Sequence, residues 1–404
     1  MNNFRVLYQY ECKKLFGRKI VWITFALCIV TIIISLCVPF IGSYYAGGEL
    51  IDTNLNMYQT DKRYSEALSN REINQELLEE TITAYRKIPY TKELQYSLTE
   101  EYQQYARPYS AVFNFIVGTT DMQASDVILS WQANEDDLYT KRQMWLNSLW
   151  EDLGLSKGEI DFWQERETQV KTPFVYQHHE AYNILISCYQ TVGLFVLLLI
   201  AICLSGVFSE EHTRKTDQII LCSPLGRTWL YWVKITAGIS FAVISAILLS
   251  LFTFIMTICL HGADGFHAAF QLVYIRNSAP ITCGQAILIA FGSMIFAAIV
   301  ISIFVMVLSE LLRSNIAALA VSTGFLIMAM IVAVPKQYRL LAQVWDWLPW
   351  CFLAPWNVFG MYTLSIFGHY FTSWQAVPII YLVAGILIAA VGRPMYRRFQ
   401  VSGR

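Results

Sequence analysis

Six stretches of roughly 20 residues contain no Asp, Glu, Lys, Arg or His, and they limit the possible folds more than any other feature of the chain. They run from Ile20 to Phe40, Ile184 to Phe208, Ile235 to Leu260, Cys283 to Leu308, Ile316 to Val334 and Trp374 to Val391. A hydrocarbon core about 30 Å thick is crossed by about 20 apolar residues in a helix, where every backbone group finds its partner inside the segment. The expected fold is an all-α polytopic membrane protein with six transmembrane helices. The chain is only 15% charged, against about 25% in soluble domains.

The first run follows a basic start, but it is long for a signal-peptide core and no A-x-A-like site follows it. It is read as a retained span, residues 20–44, after a cytoplasmic helix over residues 1–19. In that helix Phe4, Leu7, Tyr8, Cys12 and Leu15 share a face, with Arg5, Lys13 and Lys14 outside it, as suits a helix lying in the membrane interface. The fourth run has a start signal, since Thr282 and Gln285 stand at capping-box spacing.

Lysine and arginine in short loops mark the cytoplasmic side. Arg5, Lys13, Lys14, Arg18 and Lys19 precede the first span. Arg214, Lys215, Arg227 and Lys234 lie between the second and third, Arg313 between the fourth and fifth, and Arg393, Arg397, Arg398 and Arg404 close the chain. The opposite short loops hold Arg276, Lys336 and Arg339. Both termini are therefore expected in the cytoplasm of a multi-pass cell-membrane protein.

Residues 45–181 carry most of the charge and no run long enough to cross, so they are expected to form a helical extracytoplasmic insert. Ile73, Leu77, Leu78, Ile82 and Tyr85 fall on one helical face, as do Leu94, Leu98, Tyr102 and Tyr105, and Ser156 with Glu159 has capping-box spacing. Residues 182–404 hold the remaining spans. Within them, 335–373 crowd Trp345, Trp347, Trp350 and Trp356 around Pro349 and Pro355. Tryptophan favours the headgroup level and proline breaks helices, which predicts a re-entrant or surface-lying outer hairpin.

The chain lacks a G-x-x-x-x-G-K-[ST] phosphate loop, H-E-x-x-H and G-x-S-x-G. The nine cysteines show neither a disulfide framework nor C-x-x-C spacing, and the six histidines have no carboxylate spacing that supports a metal. With a net charge of -1, no basic excess favours nucleic acid. Ion-coupled carriers usually keep ionisable groups at membrane depth, so spans without them argue against a self-sufficient carrier.

The segment between the second and third spans, FSEEHTRKTDQIILCSPLGRTWLYWVK from Phe208 to Lys234, is short, charged and broken by proline. Ser223 before Pro224 has the N-cap and N1 arrangement of a new helix, and about ten residues of helix reach only ~15 Å. That length suits docking into another protein's groove.

The segment resembles the loop after the second span in type 2 ABC exporter permeases. The matching positions are Glu210 and Glu211, Thr216, Ile219, Ile220 and Leu221, Ser223 with Pro224, Arg227 and Lys234. Where that family usually has glycine before the threonine, this chain has Lys215. The six spans, the amphipathic start and the broken outer hairpin match as well, and the large insert resembles the subgroup exporting antimicrobial peptides, lipid-like compounds or sodium.

The resemblance implies that residues 209–234, including Asp217, couple the spans to a separate ABC ATPase subunit. It implies no catalysis and no cofactor in this chain, with ATP and Mg held by the partner ATPase, and a second permease chain, either a copy or a sibling. Spans without charge favour an amphipathic or lipophilic cargo over sodium. The rival readings are a membrane sensor or immunity protein that binds a toxin without transport, and an intramembrane hydrolase or lipid transferase.

Overall fold

The computed structural model describes residues 2–46, 49–89, 99–214, 216, 220 and 222–397. Among them, five helical stretches are long and apolar enough to cross a membrane: Lys19–Phe40, Glu180–Thr213, Leu230–His261, Cys283–Leu312 and Ser373–Arg397. The expected fifth span is the shorter apolar helix Asn315–Ile331, whose 17 residues rise about 25 Å. The protein is an all-α polytopic membrane protein, and among the described residues the strands form two small antiparallel hairpins.

Several helices outrun the uncharged stretches that announce them. The third begins at Leu230 and runs for 32 residues, about 48 Å, so Lys234 lies inside the helix. The fourth continues to Leu312 and takes in Glu310. A hydropathy reading stops at the first charge, whereas the backbone ladder continues for as long as its bonds can form.

The chain divides into two compact units. The first comprises Met1–Ile32, Ile186–Ile255 and Ile289–Arg404. Small side chains let its helices approach closely, as membrane interfaces favour. A Cβ on Gly392 would lie 2.5 Å from the Tyr231 hydroxyl oxygen. Ser309 donates to the Ser205 carbonyl at 2.5 Å and accepts from the Ser209 backbone N–H at 3.2 Å, and Ser205 is also hydrogen-bonded to Asn315.

The segment 335–373 breaks into a helix at Arg339–Asp346, a short helix at Pro355–Val358 with proline at its first turn, and a hairpin of Thr363–Ile366 with His369–Thr372. Trp350 stacks on Phe325, with centroids 5.0 Å apart, and the Trp345 indole donates to the Val332 carbonyl. The Trp347 carbonyl accepts from Tyr381. Trp356 is exposed, and Pro349 lies in the turn between the two helices.

The second unit comprises Ile33–Leu185 and Met256–Leu288. The expected face of Ile73, Leu77, Leu78, Ile82 and Tyr85 is buried, built on the helix Gln75–Tyr85. Tyr85 stacks on Phe113 at 3.6 Å. Both predicted capping boxes form: Glu159 accepts from the Ser156 backbone, and Thr282 and Gln285 cap one another. In the other expected face, Leu94 and Leu98 lie outside the described residues, Tyr102 is half-buried and Tyr105 is exposed.

The unit is larger than the insert outlined by composition. Arg142 is buried, pairs with Glu167, and donates to the carbonyls of Ile275 at 3.0 Å and Asn277 at 2.9 Å. The 262–282 loop therefore packs with the insert in one compact unit. No sequence spacing connects positions more than 130 residues apart.

Candidate functional site: a charged clasp beneath the loop

The turn after Leu204 continues into a short helix, Ser209–Thr213, and this turn points two adjacent carboxylates into the protein. Glu211 is 7% exposed, and its Oε1 accepts from Lys234 Nζ at 2.5 Å and from Lys14 Nζ at 3.1 Å. Lys234 is 0% exposed and also donates to the Val207 carbonyl at 2.9 Å. Glu11 Oε2 stands 4.0 Å from the same ammonium, and the Phe208 ring lies beneath it. Two lysines and two carboxylates thus offset one another where an unpaired charge would cost several kcal/mol.

The second carboxylate binds the other end of the same connection. Glu210 Oε2 accepts from Arg18 Nη2 at 2.8 Å, and Arg18 Nη1 reaches the Cys203 carbonyl at 3.3 Å. His212 Nε2 lies 3.0 Å from Glu310 Oε2. Three consecutive side chains, 210 to 212, therefore hold the N-terminal segment, the third span and the fourth span. The helix Asn2–Phe16 is packed in by Tyr8, which donates to Ser240 at 2.8 Å, and by Phe4 edge-on to Trp229.

Beyond the clasp the chain turns outward. Thr216 N–H donates to the Glu211 carbonyl at 3.0 Å, and Ile220 N–H to the Thr216 carbonyl at 3.1 Å. Ser223 caps the helix Pro224–Thr228, accepting from Gly226 N–H at 3.0 Å with Pro224 at the first position. A Cβ at Gly226 would lie 2.0 Å from the Ile220 carbonyl oxygen, so this close approach requires glycine. The Gly226 carbonyl accepts from Tyr396 at 3.1 Å, which ties the loop to the last span.

The residues expected from sequence therefore separate into two groups. Glu210, Glu211 and Thr216 form the internal stem of the loop. Ile220 is half-buried, while Ser223 and Pro224, together with Cys222 and Leu225, which were not among the expected residues, form an exposed crest. Asp217, Ile219 and Leu221 lie outside the described residues, as does the side chain of Arg227. Of the pairings that sequence reasoning missed, Lys14 and Arg18 read only as basic markers of the inner interface, Lys234 reads as a position of the loop motif without its partner Glu211, and Leu225 lies beyond the apolar turn. The tryptophans of 335–373 do not join this site: Trp350 packs on Phe325 and Phe304, and Trp345 bonds the Val332 carbonyl.

Residues 5–341 match the family model described as ABC-2 family transporter protein. No curated protein matches the chain.

Proposed function

The chain belongs to the ABC-2 transporter family, and from that premise we propose that it is the permease subunit of an ATP-driven exporter of an amphipathic or lipophilic compound. The observation that carries the proposal is the loop itself. Its crest is open, and its stem is held by the buried Lys234–Glu211 pair, the half-buried Arg18–Glu210 pair and the His212–Glu310 contact to the third span, the N-terminal segment and the fourth span. A push on the crest is thereby passed to the spans without being absorbed by a slack connection. The pusher is a separate ABC ATPase that holds ATP and Mg, docked over Ile220 to Leu225. Glu210 and Glu211 act behind the docking surface and make no contact with the ATPase.

In this reading the termini and the crest are cytoplasmic, the 45–181 insert is outside, and a second permease chain completes the path. An amphipathic cargo fits spans whose central stretches carry no fixed charge, because an isolated ion at that depth would have no partner. The test is to reconstitute the chain with a candidate ABC ATPase and to measure ATP hydrolysis. Stimulation by membrane-active peptides and cationic amphiphiles supports the reading. ATP-dependent sodium movement without any response to amphiphiles assigns the sodium branch. Peptide binding with no associated ATPase assigns a sensor.

A further inference from the structure

Small-ligand sites commonly enclose about 300 to 1,000 Å³, and a cavity of about 460 Å³ opens within the second unit. Three tyrosines, Tyr44, Tyr58 and Tyr102, line it together with Met57, Asp61 and Asn114. The walls are mixed: the three rings and Met57 stand beside polar side chains that include Asn54, Gln103, Ser110 and Asn114, a lining that suits a ligand apolar at one end and charged at the other. Its charges are arranged unequally. Arg107 Nε donates to Asp61 Oδ1 at 2.6 Å, Nη1 to Gln103 at 2.8 Å, and Nη2 to the Met57 carbonyl at 2.8 Å. The Arg107 side chain is 8% exposed and that of Asp61 is 51% exposed.

The guanidinium is thus turned inward and occupied, while the carboxylate faces the opening. Asp52 adds a second negative charge within electrostatic reach of Arg107. Hydrogen bonds from the Asn56 side chain and the Thr53 backbone hold it below the usual carboxylate range. Among these three side chains, two carboxylates stand against one guanidinium. Tyrosine faces attract a cation through the ring quadrupole, most strongly where water is excluded.

We propose that this cavity is a capture site for a water-soluble cationic amphiphile, its ammonium group set against Asp61 and the tyrosine rings and its apolar chain along Met57. The inference rests on the export reading for its biological meaning and on the cavity alone for its chemistry. An anionic ligand is disfavoured because the one guanidinium here already has partners on all three nitrogens.

The experiment is calorimetric titration of benzyltrimethylammonium into the full chain with its ATPase, reconstituted in nanodiscs. Empty nanodiscs and the uncharged benzyl alcohol serve as controls. The expected result is saturable binding of the ammonium, with no saturable binding of the alcohol. Asp61→Asn should weaken it about tenfold or more, as loss of a charged partner does. Because that change also disturbs Arg107, Asn114→Asp supplies the opposite test. It places a new carboxylate at an exposed position and should tighten binding about two- to fivefold. Tyr44→Ser, which removes a ring and no charge, should also weaken binding. Equal affinity in all variants, or no saturable binding, overturns the proposal. Amphiphile-stimulated ATP hydrolysis is read in the same samples. Stimulation with unchanged affinities sinks the capture site and leaves export standing, whereas failure to assemble with an ATPase sinks the export reading and leaves the calorimetric result to decide the site.

Discussion

Lys234 Nζ lies 2.5 Å from Glu211 Oε1, with the lysine closed to solvent and the carboxylate nearly so. The pair joins the first residues of the third span to the turn that ends the second, so the loop between them is anchored at both ends by one interaction. Breaking a buried pair from one side strands a charge and costs about 3–5 kcal/mol.

Lys234→Met should therefore be markedly destabilising, by about 3 kcal/mol or more, although Lys14 remains near Glu211. Lys234→Met with Glu211→Leu should recover much of that loss, since neither charge is then left alone. The check is the thermal midpoint of the purified permease, together with the ATPase retained on it. A double variant no better than the single one would mean that the pair has a role other than mutual neutralisation.

Ile220→Asp should release or uncouple the ATPase while the permease still inserts, since no span is altered. Full burial of such a side chain stabilises association by about 1.5–3 kcal/mol, and Ile220 is already half-buried, so about half of that is available. Leu225→Asp should act similarly, from its exposed position. Asp217→Lys should act more weakly, because a rim charge contributes about 0–1 kcal/mol. Co-purification and substrate-stimulated hydrolysis provide the readout, and full association in both aspartate variants would make the crest a solvated connector.

Gly226→Ala should disturb coupling out of proportion to its size, because the added methyl would meet the Ile220 carbonyl oxygen at 2.0 Å. The backbone must shift, which moves Ile220 relative to the Ser223 cap. Reduced stimulation with normal abundance in membranes is the expected result. Wild-type stimulation would show that the crest tolerates several conformations.

Asp346 provides a pH dependence. Burial raises its pKa to about 6, with Lys336 drawing it down. The folded chain holds this proton more tightly than the unfolded one, whose aspartate titrates near 3.9. The contribution to stability is full below about pH 4 and is lost as pH rises through about 6. Asp346→Asn should remove that loss and raise stability at pH 7.5 by about 1 kcal/mol, a value discounted for partial exposure. Melting at pH 5 and 7.5 tests it, and no gain at 7.5 would place the side chain in water.

The topology is checked by single cysteines in a cysteine-free background. Glu135→Cys should react with an impermeant thiol reagent on intact cells, and Arg397→Cys should not. The reverse pattern would invert the membrane orientation proposed here.

The fold class was legible because membrane spans are written in consecutive residues, and the capping boxes at Ser156 and Thr282 because they act over three positions. The helix ends were less so. Lys234 reads as a loop residue by charge and sits inside a helix because Glu211 neutralises it. The candidate site was legible as a segment, from its Ser-Pro break, but its inner workings were not. Glu210 and Glu211 look like docking groups until Arg18 and Lys14, nearly 200 residues earlier, are placed beside them. The 262–282 loop escaped for the same reason, since only folding brings Ile275 and Asn277 to Arg142.

Lys14 and Arg18, both bonded to the stem of the loop, give the amphipathic helix Asn2–Phe16 a mechanical standing that a lipid anchor would not have. In the coupling reading proposed above, it is the fulcrum against which the stem turns. A bulky fusion ahead of this helix would load that fulcrum directly, and the complex would then assemble yet transmit poorly. Affinity handles and fluorescent reporters belong at the other end of the chain.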